Sequence, residues 1–215
     1  MDSFLLEQVR EHKIVAAFRG VSQEKAAKTA QTLYKGGLRL LEVTFNQKDP
    51  GRIKETSALI QTVLEQTGNE MCVGAGTVLT VEEVNAAAKA GATFLLAPNL
   101  NEAVVYRAKE LGLGVIPGAF SPTEIVQAYS LGADLVKVFP AENLGVSYFK
   151  ALKGPLGHIP LLAMGGVNRE NLKDFLKVVD GVGIGSNLVD TALINQDRWD
   201  DLEALARSYT GVTAG

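Results

Sequence analysis

Short apolar runs recur along the whole chain, separated by segments whose apolar residues fall at helical spacing. Runs of this length, bounded by turn residues, read as strands. They lie at 14–18, 38–45, 71–75, 93–97, 114–116, 134–139, 160–164 and 181–184. Between them, Ala26, Ala27, Ala30, Leu33 and Tyr34 share one helical face. So do Ile53, Thr56, Ile60, Val63 and Leu64, and later Leu172, Phe175, Leu176 and Val179. Thr80-x-x-Glu83 and Ser121-Pro122-x-Glu124 are capping boxes, the second with proline at the first helical position. Asn168 is a candidate cap for the helix after it. A weak repeat marks where helix gives way to strand: KGGLRLLEV, KAGATFLLAP, ELGLGVIPGA and SLGADLVKVFP. Glycine suits that position because a helix C-cap needs positive φ.

Eight alternations of strand and helix predict parallel pairing with right-handed crossovers. In 215 residues this predicts one domain over 1–215, a (β/α)₈ TIM barrel of small size. An open doubly wound sheet is the alternative. Two helices are left over. One is an extra N-terminal helix near 3–12; the other, at the C-terminus, carries Trp199, Leu202, Leu205 and Ala206 as a stripe that suits core packing.

Composition narrows the function classes. The net charge of −3 argues against a nucleic-acid binder, which should be basic. No apolar run approaches membrane-spanning length, so no membrane is expected. The start, MDSFLLEQVREHK, lacks the basic and apolar regions of a signal peptide. Cys72 is the single cysteine, which excludes a disulfide framework and a thiolate metal cluster. Together these lead to the expectation of a cytoplasmic protein. His12 and His158 leave little room for a zinc site or a histidine-centred triad, so no metal and no cofactor are expected.

One strand departs from the pattern. In GADLVKVFPAE, Lys137 interrupts the apolar run of Leu135, Val136, Val138 and Phe139. A lysine taken out of water loses solvation, its pKa falls, and the neutral amine becomes a nucleophile towards carbonyl carbon. The plainer alternative is an edge strand from which Lys137 reaches solvent. In a barrel, active sites gather at the C-terminal ends of the strands. This chain puts Arg19, Glu42, Thr44, Thr77, Pro98, Lys137, Gly165-Gly166 and Gly185-Ser186 there. Alternation sets Leu40, Glu42 and Thr44 on one face, and Leu135, Lys137 and Phe139 on one face. If both faces point inwards, an amine and a carboxylate meet in a packed core, either as a plain buried salt bridge or as chemistry. The paired glycines after strands seven and eight suit a phosphate site of backbone N–H groups, with the Ser186 hydroxyl beside it. GVGIGS is no dinucleotide fingerprint, because its spacing is wrong and it follows the last strand. The inventory suits carbon–carbon bond chemistry through an imine on a phosphorylated keto-sugar.

LLEVTF, VGAGTV, the apolar strand ending in Pro98, VKVFPAE, MGGV and GIGSNLV occur in order between about residues 14 and 189. This ordered set resembles the 2-keto-3-deoxy-6-phosphogluconate (KDPG) aldolases, also called 4-hydroxy-2-oxoglutarate (KHG) aldolases. The resemblance implies a class I aldolase on a (β/α)₈ barrel, usually a homotrimer, acting on a small phosphorylated keto-acid. Lys137 matches the Schiff-base lysine, and Glu42 the general acid/base working through water. Thr77 matches a threonine near the pyruvate unit, while Pro98 and Phe139 match apolar pocket residues. Gly165, Gly166, Gly185 and Ser186 fall in the phosphate-binding loops. Arg19 matches an arginine that in some members binds the pyruvate carboxylate. Two positions depart. Asn46 stands where many members have arginine, and Met164 where many have the threonine before the Gly-Gly pair. Substrates of the galactonate-derived epimer, a sugar-phosphate epimerase or isomerase, and a non-catalytic sugar-phosphate sensor are the competing readings.

Overall fold

The structure is a computed structural model that describes residues 3–68 and 70–213. Its strands are β1 (Ile14–Phe18), β2 (Leu40–Thr44), β3 (Cys72–Gly76), β4 (Phe94–Leu96), β5 (Gly114–Ile116), β6 (Gly118–Ala119), β7 (Val136–Val138), β8 (Leu161–Met164) and β9 (Gly181–Ile184). All pair in parallel, in the order β5-β4-β3-β2-β1-β9-β8-β7-β6. Every strand expected from the sequence is present. The ninth segment arises because the fifth strand, expected to end at Ile116, continues to Ala119 with Pro117 dividing it in two. Proline has no N–H to give to a ladder. One half, β5, pairs with β4, and the other, β6, pairs with β7. Around the break, Asp134 N donates to Val115 O and Lys137 N donates to Pro117 O. The ring therefore closes through Pro117 as an eight-position barrel, and the doubly wound alternative falls.

Burial shows which way each strand faces. Val15, Ala17, Leu40, Phe94, Leu96, Ile116, Leu135, Leu162 and Met164 form an inner cluster with Leu5, Leu6 and Val9. Their strand neighbours Ala16, Leu41, Val43, Leu95, Val136, Val138, Ala163 and Val182 belong to the larger outer core under the helices. Glu42 and Lys137 share parity with Leu40 and Leu135, so both side chains enter the barrel.

The inward glycines are spaces that neighbouring side chains occupy. A Cβ on Gly74 would lie 2.6 Å from the Phe94 ring, one on Gly76 would overlap the Glu42 carboxylate, and one on Gly183 would lie 2.6 Å from Met164 Sδ. The N-terminal helix α1 (Phe4–His12) uses the same device from below. A Cβ on Gly114 would meet Leu5 Cδ2 at 2.6 Å, and one on Gly181 would meet Val9 Cγ1 at 2.4 Å. The helix thus shuts the end of the barrel where the strands begin.

The helix signals hold. α4 (Val81–Ala90) and α6 (Pro122–Ser130) carry the two capping boxes. Gly37, Gly91, Gly112 and Gly132, the glycines of the repeat, all take positive φ. Asn168 accepts from the N–H groups of Glu170 and Asn171, but regular helix begins only at Leu172, with Asn171 at the N-cap. The C-terminal helix, Trp199–Thr213, buries Leu202, Ala206 and Tyr209.

Gly114→Ala forces Leu5 out of its seat and should cost about 1–3 kcal/mol, the usual penalty for overpacking. Urea unfolding of the two single variants and of Gly114→Ala/Leu5→Ala checks this. The double variant should lose less stability than the two singles together, because removing the Leu5 side chain relieves the clash.

Candidate active site

Glu42 and Lys137 are 1% and 5% exposed. Glu42 sits in β2, its carboxyl in the space left by Gly76. Lys137 sits in β7, with Nζ 4.8 Å from the centroid of the Phe139 ring. The two charges are not joined as a contact ion pair, so the buried salt bridge allowed by the sequence does not form. Glu42 Oε2 and Thr44 Oγ1 are buried and have no hydrogen-bond partner among the described residues.

Burial governs both titrations. It raises the Glu42 carboxyl above the ordinary carboxylate range, and the positive charges of Lys137 and Arg19 only partly offset this. Burial likewise lowers the Lys137 amine; Glu42 opposes that fall and Arg19 adds to it. A carboxyl pushed up and an amine pushed down are the pair from which acid–base work and amine nucleophilicity can be drawn near neutral pH.

Above them opens a cavity of about 630 Å³. It is lined by Arg19, Thr77, Pro98, Lys137, Phe139, Met164, Gly165, Gly166, Gly185 and Ser186. Those are all the site residues expected from the sequence except Glu42, which lies buried in the barrel interior. Gly20, Val167 and Thr191 also line the cavity and were missed, while Asn187, which the sequence places with Gly185-Ser186 at the end of its strand, lines it too. Gly20 follows Arg19, and Val167 follows Gly165-Gly166. Position after a strand end was the signal that could have found them.

Arg19 Nη2 donates to Thr77 Oγ1 at 3.3 Å. Thr77 has φ +56°, in the left-handed region. For a β-branched residue such a backbone costs on the order of 1–3 kcal/mol and persists only where its surroundings impose it. On the other rim, Gly165 and Gly166 have φ +95° and +77°. The Gly165 carbonyl accepts from Glu142 N, the Gly166 carbonyl from Asn171 Nδ2, and the Gly185 carbonyl from the N–H groups of Leu188 and Val189. Asn187 Nδ2 donates to Val167 O, linking the two glycine loops. With these carbonyls engaged in the protein, the loops suit an anion better than a cation.

A model of the family described as KDPG and KHG aldolase matches residues 5–205. The chain belongs to this aldolase family. It is therefore an enzyme, a lyase. A 2-dehydro-3-deoxy-phosphogluconate aldolase of Haemophilus influenzae is 33% identical, over 97% of this chain and 96% of that one. A 2-dehydro-3-deoxy-6-phosphogalactonate aldolase of Escherichia coli is 32% identical, over 81% of this chain and 83% of that one. The structure of a Legionella pneumophila KDPG aldolase "with pyruvate captured at low pH as a covalent carbinolamine intermediate" superposes with a TM-score of 0.84. It is 26% identical and covers 95% of this chain and 97% of that one.

The two departures from the aldolase pattern have distinct surroundings. Asn46 is used locally, its Oδ1 accepting from Lys48 N, and it lines a second cavity of about 490 Å³ that shares Arg19, Gly20 and Thr77 with the first. Met164 covers Gly183 and faces the main cavity.

The amine of Lys137 should react with formaldehyde and borohydride with a pH midpoint below the ordinary lysine value of about 10.4. The Glu42 carboxylate favours the ammonium, so Glu42→Gln should move the midpoint down. Arg19 disfavours the ammonium, so Arg19→Ala should move it up. Mass spectrometry of the peptide holding Lys137, against pH, reads both; shifts of the same sign would contradict these electrostatics.

Proposed function

We propose that this aldolase cleaves 2-keto-3-deoxy-6-phosphogluconate, or its galactonate-derived epimer, to pyruvate and glyceraldehyde 3-phosphate, and 4-hydroxy-2-oxoglutarate to pyruvate and glyoxylate. The observation that carries this is a buried, pKa-lowered amine set with a buried carboxyl that is not spent on it as an ion pair. Neutral Lys137 attacks the C2 ketone to give a carbinolamine; the protonated Glu42 carboxyl gives a proton to its hydroxyl, which leaves as water, and an iminium and the Glu42 carboxylate result. Glu42 takes the C4 hydroxyl proton through a water molecule, and the C3–C4 bond breaks, its electrons passing into the iminium. The aldehyde departs. The enamine is reprotonated at C3 and hydrolysed, freeing pyruvate and the amine. Arg19 and Thr77 receive the pyruvate carboxylate, Pro98 and Phe139 flank the carbon chain, and Gly165, Gly166, Gly185 and Ser186 receive the phosphate. The covalent pyruvate of the Legionella relative supports the imine at Lys137.

An epimerase or isomerase would use Lys137 only as a charge. Against that reading stands the burial that disfavours the charge. A mere sensor has no use for a buried amine and carboxyl together. We also place the enzyme in the cytoplasm, in keeping with a free thiol at Cys72. A trimer is part of the same reading. Phe120, Val126, Tyr129 and Phe139 are exposed. Val126 also lines an apolar groove of about 550 Å³ with Pro122, Tyr148 and Leu156, clear of the polar residues of the barrel mouth.

Pyruvate with borohydride should add one reduced pyruvyl group to the Lys137 peptide. Glu42→Gln should still form that adduct, yet cleave substrate about 10² to 10⁴-fold more slowly. An adduct on another lysine, or cleavage by Glu42→Gln at the parental rate, would overturn the mechanism.

Met164 bears on which epimer is taken, a question the similar identities of the gluconate- and galactonate-named relatives leave to the pocket itself. Thioether sulfur is a weak acceptor with no donor, and methionine repacks easily. A hydrogen bond made to one C4 epimer only is worth about 1–3 kcal/mol, on the order of 10- to 200-fold in selectivity. The parent should discriminate weakly, and Met164→Thr should raise preference for the gluconate epimer. The ratio of kcat/KM for the two epimers, in both proteins, tests this. A ratio unchanged by the substitution would mean that C4 is read elsewhere.

A further inference from the structure

The two capping boxes differ in a way that helix capping does not explain. In α6, Glu124 uses a single oxygen, Oε2, which accepts from Phe120 N, Ser121 N and Ser121 Oγ, all local and exposed. In α4, Glu83 is fully buried and uses both oxygens. Its Oε2 accepts from Leu79 N at 2.7 Å and Thr80 N at 3.2 Å, which completes the cap. Its Oε1 reaches out of the helix to the loop after β2 and the first residue of the helix that follows that loop. There it accepts from Arg52 Nε at 2.7 Å and Gln47 Nε2 at 2.9 Å. The same Gln47 amide donates to Thr77 O at 2.9 Å. Thr77 holds the left-handed backbone and accepts from Arg19. One carboxylate thus ties the β2–α3 loop, α3 being Arg52–Thr67, to the β3–α4 loop, and the tie ends on Thr77.

We propose that Glu83 is a positioning residue for the reaction. Through Gln47 it imposes the conformation of Thr77, and through Thr77 the placement of Arg19, where the keto-acid carboxylate binds, while Arg52 holds the carboxylate of Glu83 in place. This rests on the assignment of Arg19 and Thr77 to that carboxylate. The chemistry requires an anion at residue 83. A carboxylate has acceptor capacity for all four donors. A glutamine could still cap Leu79 and Thr80, but its amide would then present N–H groups to the N–H groups of Arg52 and Gln47. Burial works to raise the Glu83 pKa. The hydrogen bonds from Arg52, Leu79, Gln47 and Thr80 outweigh it and keep the group ionised.

Glu83→Gln is therefore the decisive variant, because it spares the cap and breaks the link between loops. Gln47→Ala, at an exposed position, breaks the contact to Thr77 and takes one donor from Glu83 Oε1, but leaves the carboxylate with Arg52, Leu79 and Thr80. For each, the half-saturating pyruvate concentration and the limiting rate of borohydride-trapped imine formation are measured, with the thermal midpoint. Glu83→Gln should raise the half-saturating concentration about ten-fold and leave the limiting rate within about two-fold. Gln47→Ala should move it the same way. In an Arg19→Ala background, Glu83→Gln should add nothing further. If Arg19→Ala raises half-saturation but Glu83→Gln and Gln47→Ala do not, Glu83 is only a cap and the proposal fails, whatever the thermal midpoint does. If Arg19→Ala itself changes nothing, the carboxylate assignment fails and takes the proposal with it. Should Glu83→Gln not fold, Gln47→Ala decides alone.

Discussion

Space inside the barrel is the constraint from which the rest follows. Barrels of this size are filled by layers of side chains, so a functional group enters only where something else has been removed. Here Gly74, Gly76 and Gly183 remove it, and Phe94, Glu42 and Met164 take the room. Burying a carboxyl or an amine alone is costly, and the cost appears as a pKa moved towards neutrality rather than as two settled charges. Contact pairing would restore both charges. Keeping Glu42 and Lys137 apart, yet within reach of each other's field, leaves the carboxyl raised and the amine lowered.

The same packing sets the direction of the chemistry. Leu5, Leu6 and Val9 of α1 shut the end where the strands begin, and the inner leucines fill the middle. The open end is the one where the strands finish, lined by Arg19, Thr77, Phe139 and the glycine loops. The interior is built from strands whose register is fixed by main-chain pairing. The rim is built from loops, which need separate restraint. Glu83 supplies it between the loops after β2 and β3, Asn187 links the glycine loops after β8 and β9, and Asn171 braces the first of these from within.

Much of this was legible in the residues. Period-two alternation separated inward Leu40, Glu42 and Leu135, Lys137 from their outward neighbours, and helical periodicity with two capping boxes located the crossovers. Those signals are local: a residue's parity along a strand or position in a helical turn depends only on near neighbours. The eight repeats then implied the barrel, and the barrel implied which strand ends meet.

What lay beyond the sequence was every quantity that depends on how distant segments are staggered. No local pattern says that Pro117 divides the fifth strand, yet leaves its two halves bonded to different neighbours. No local pattern says that Glu42 and Lys137 stop short of an ion pair, since that follows from the register of β2 and β7 on opposite arcs of the sheet. Glu83 is the clearest case. The sequence marked it as a cap, which is a four-residue property. The partners of its second oxygen, Gln47 and Arg52, stand 36 and 31 residues away. Only the tertiary fold brings them within hydrogen-bonding distance, because side-chain reach is a few ångströms and the positions of loop atoms are set by the strands that carry them.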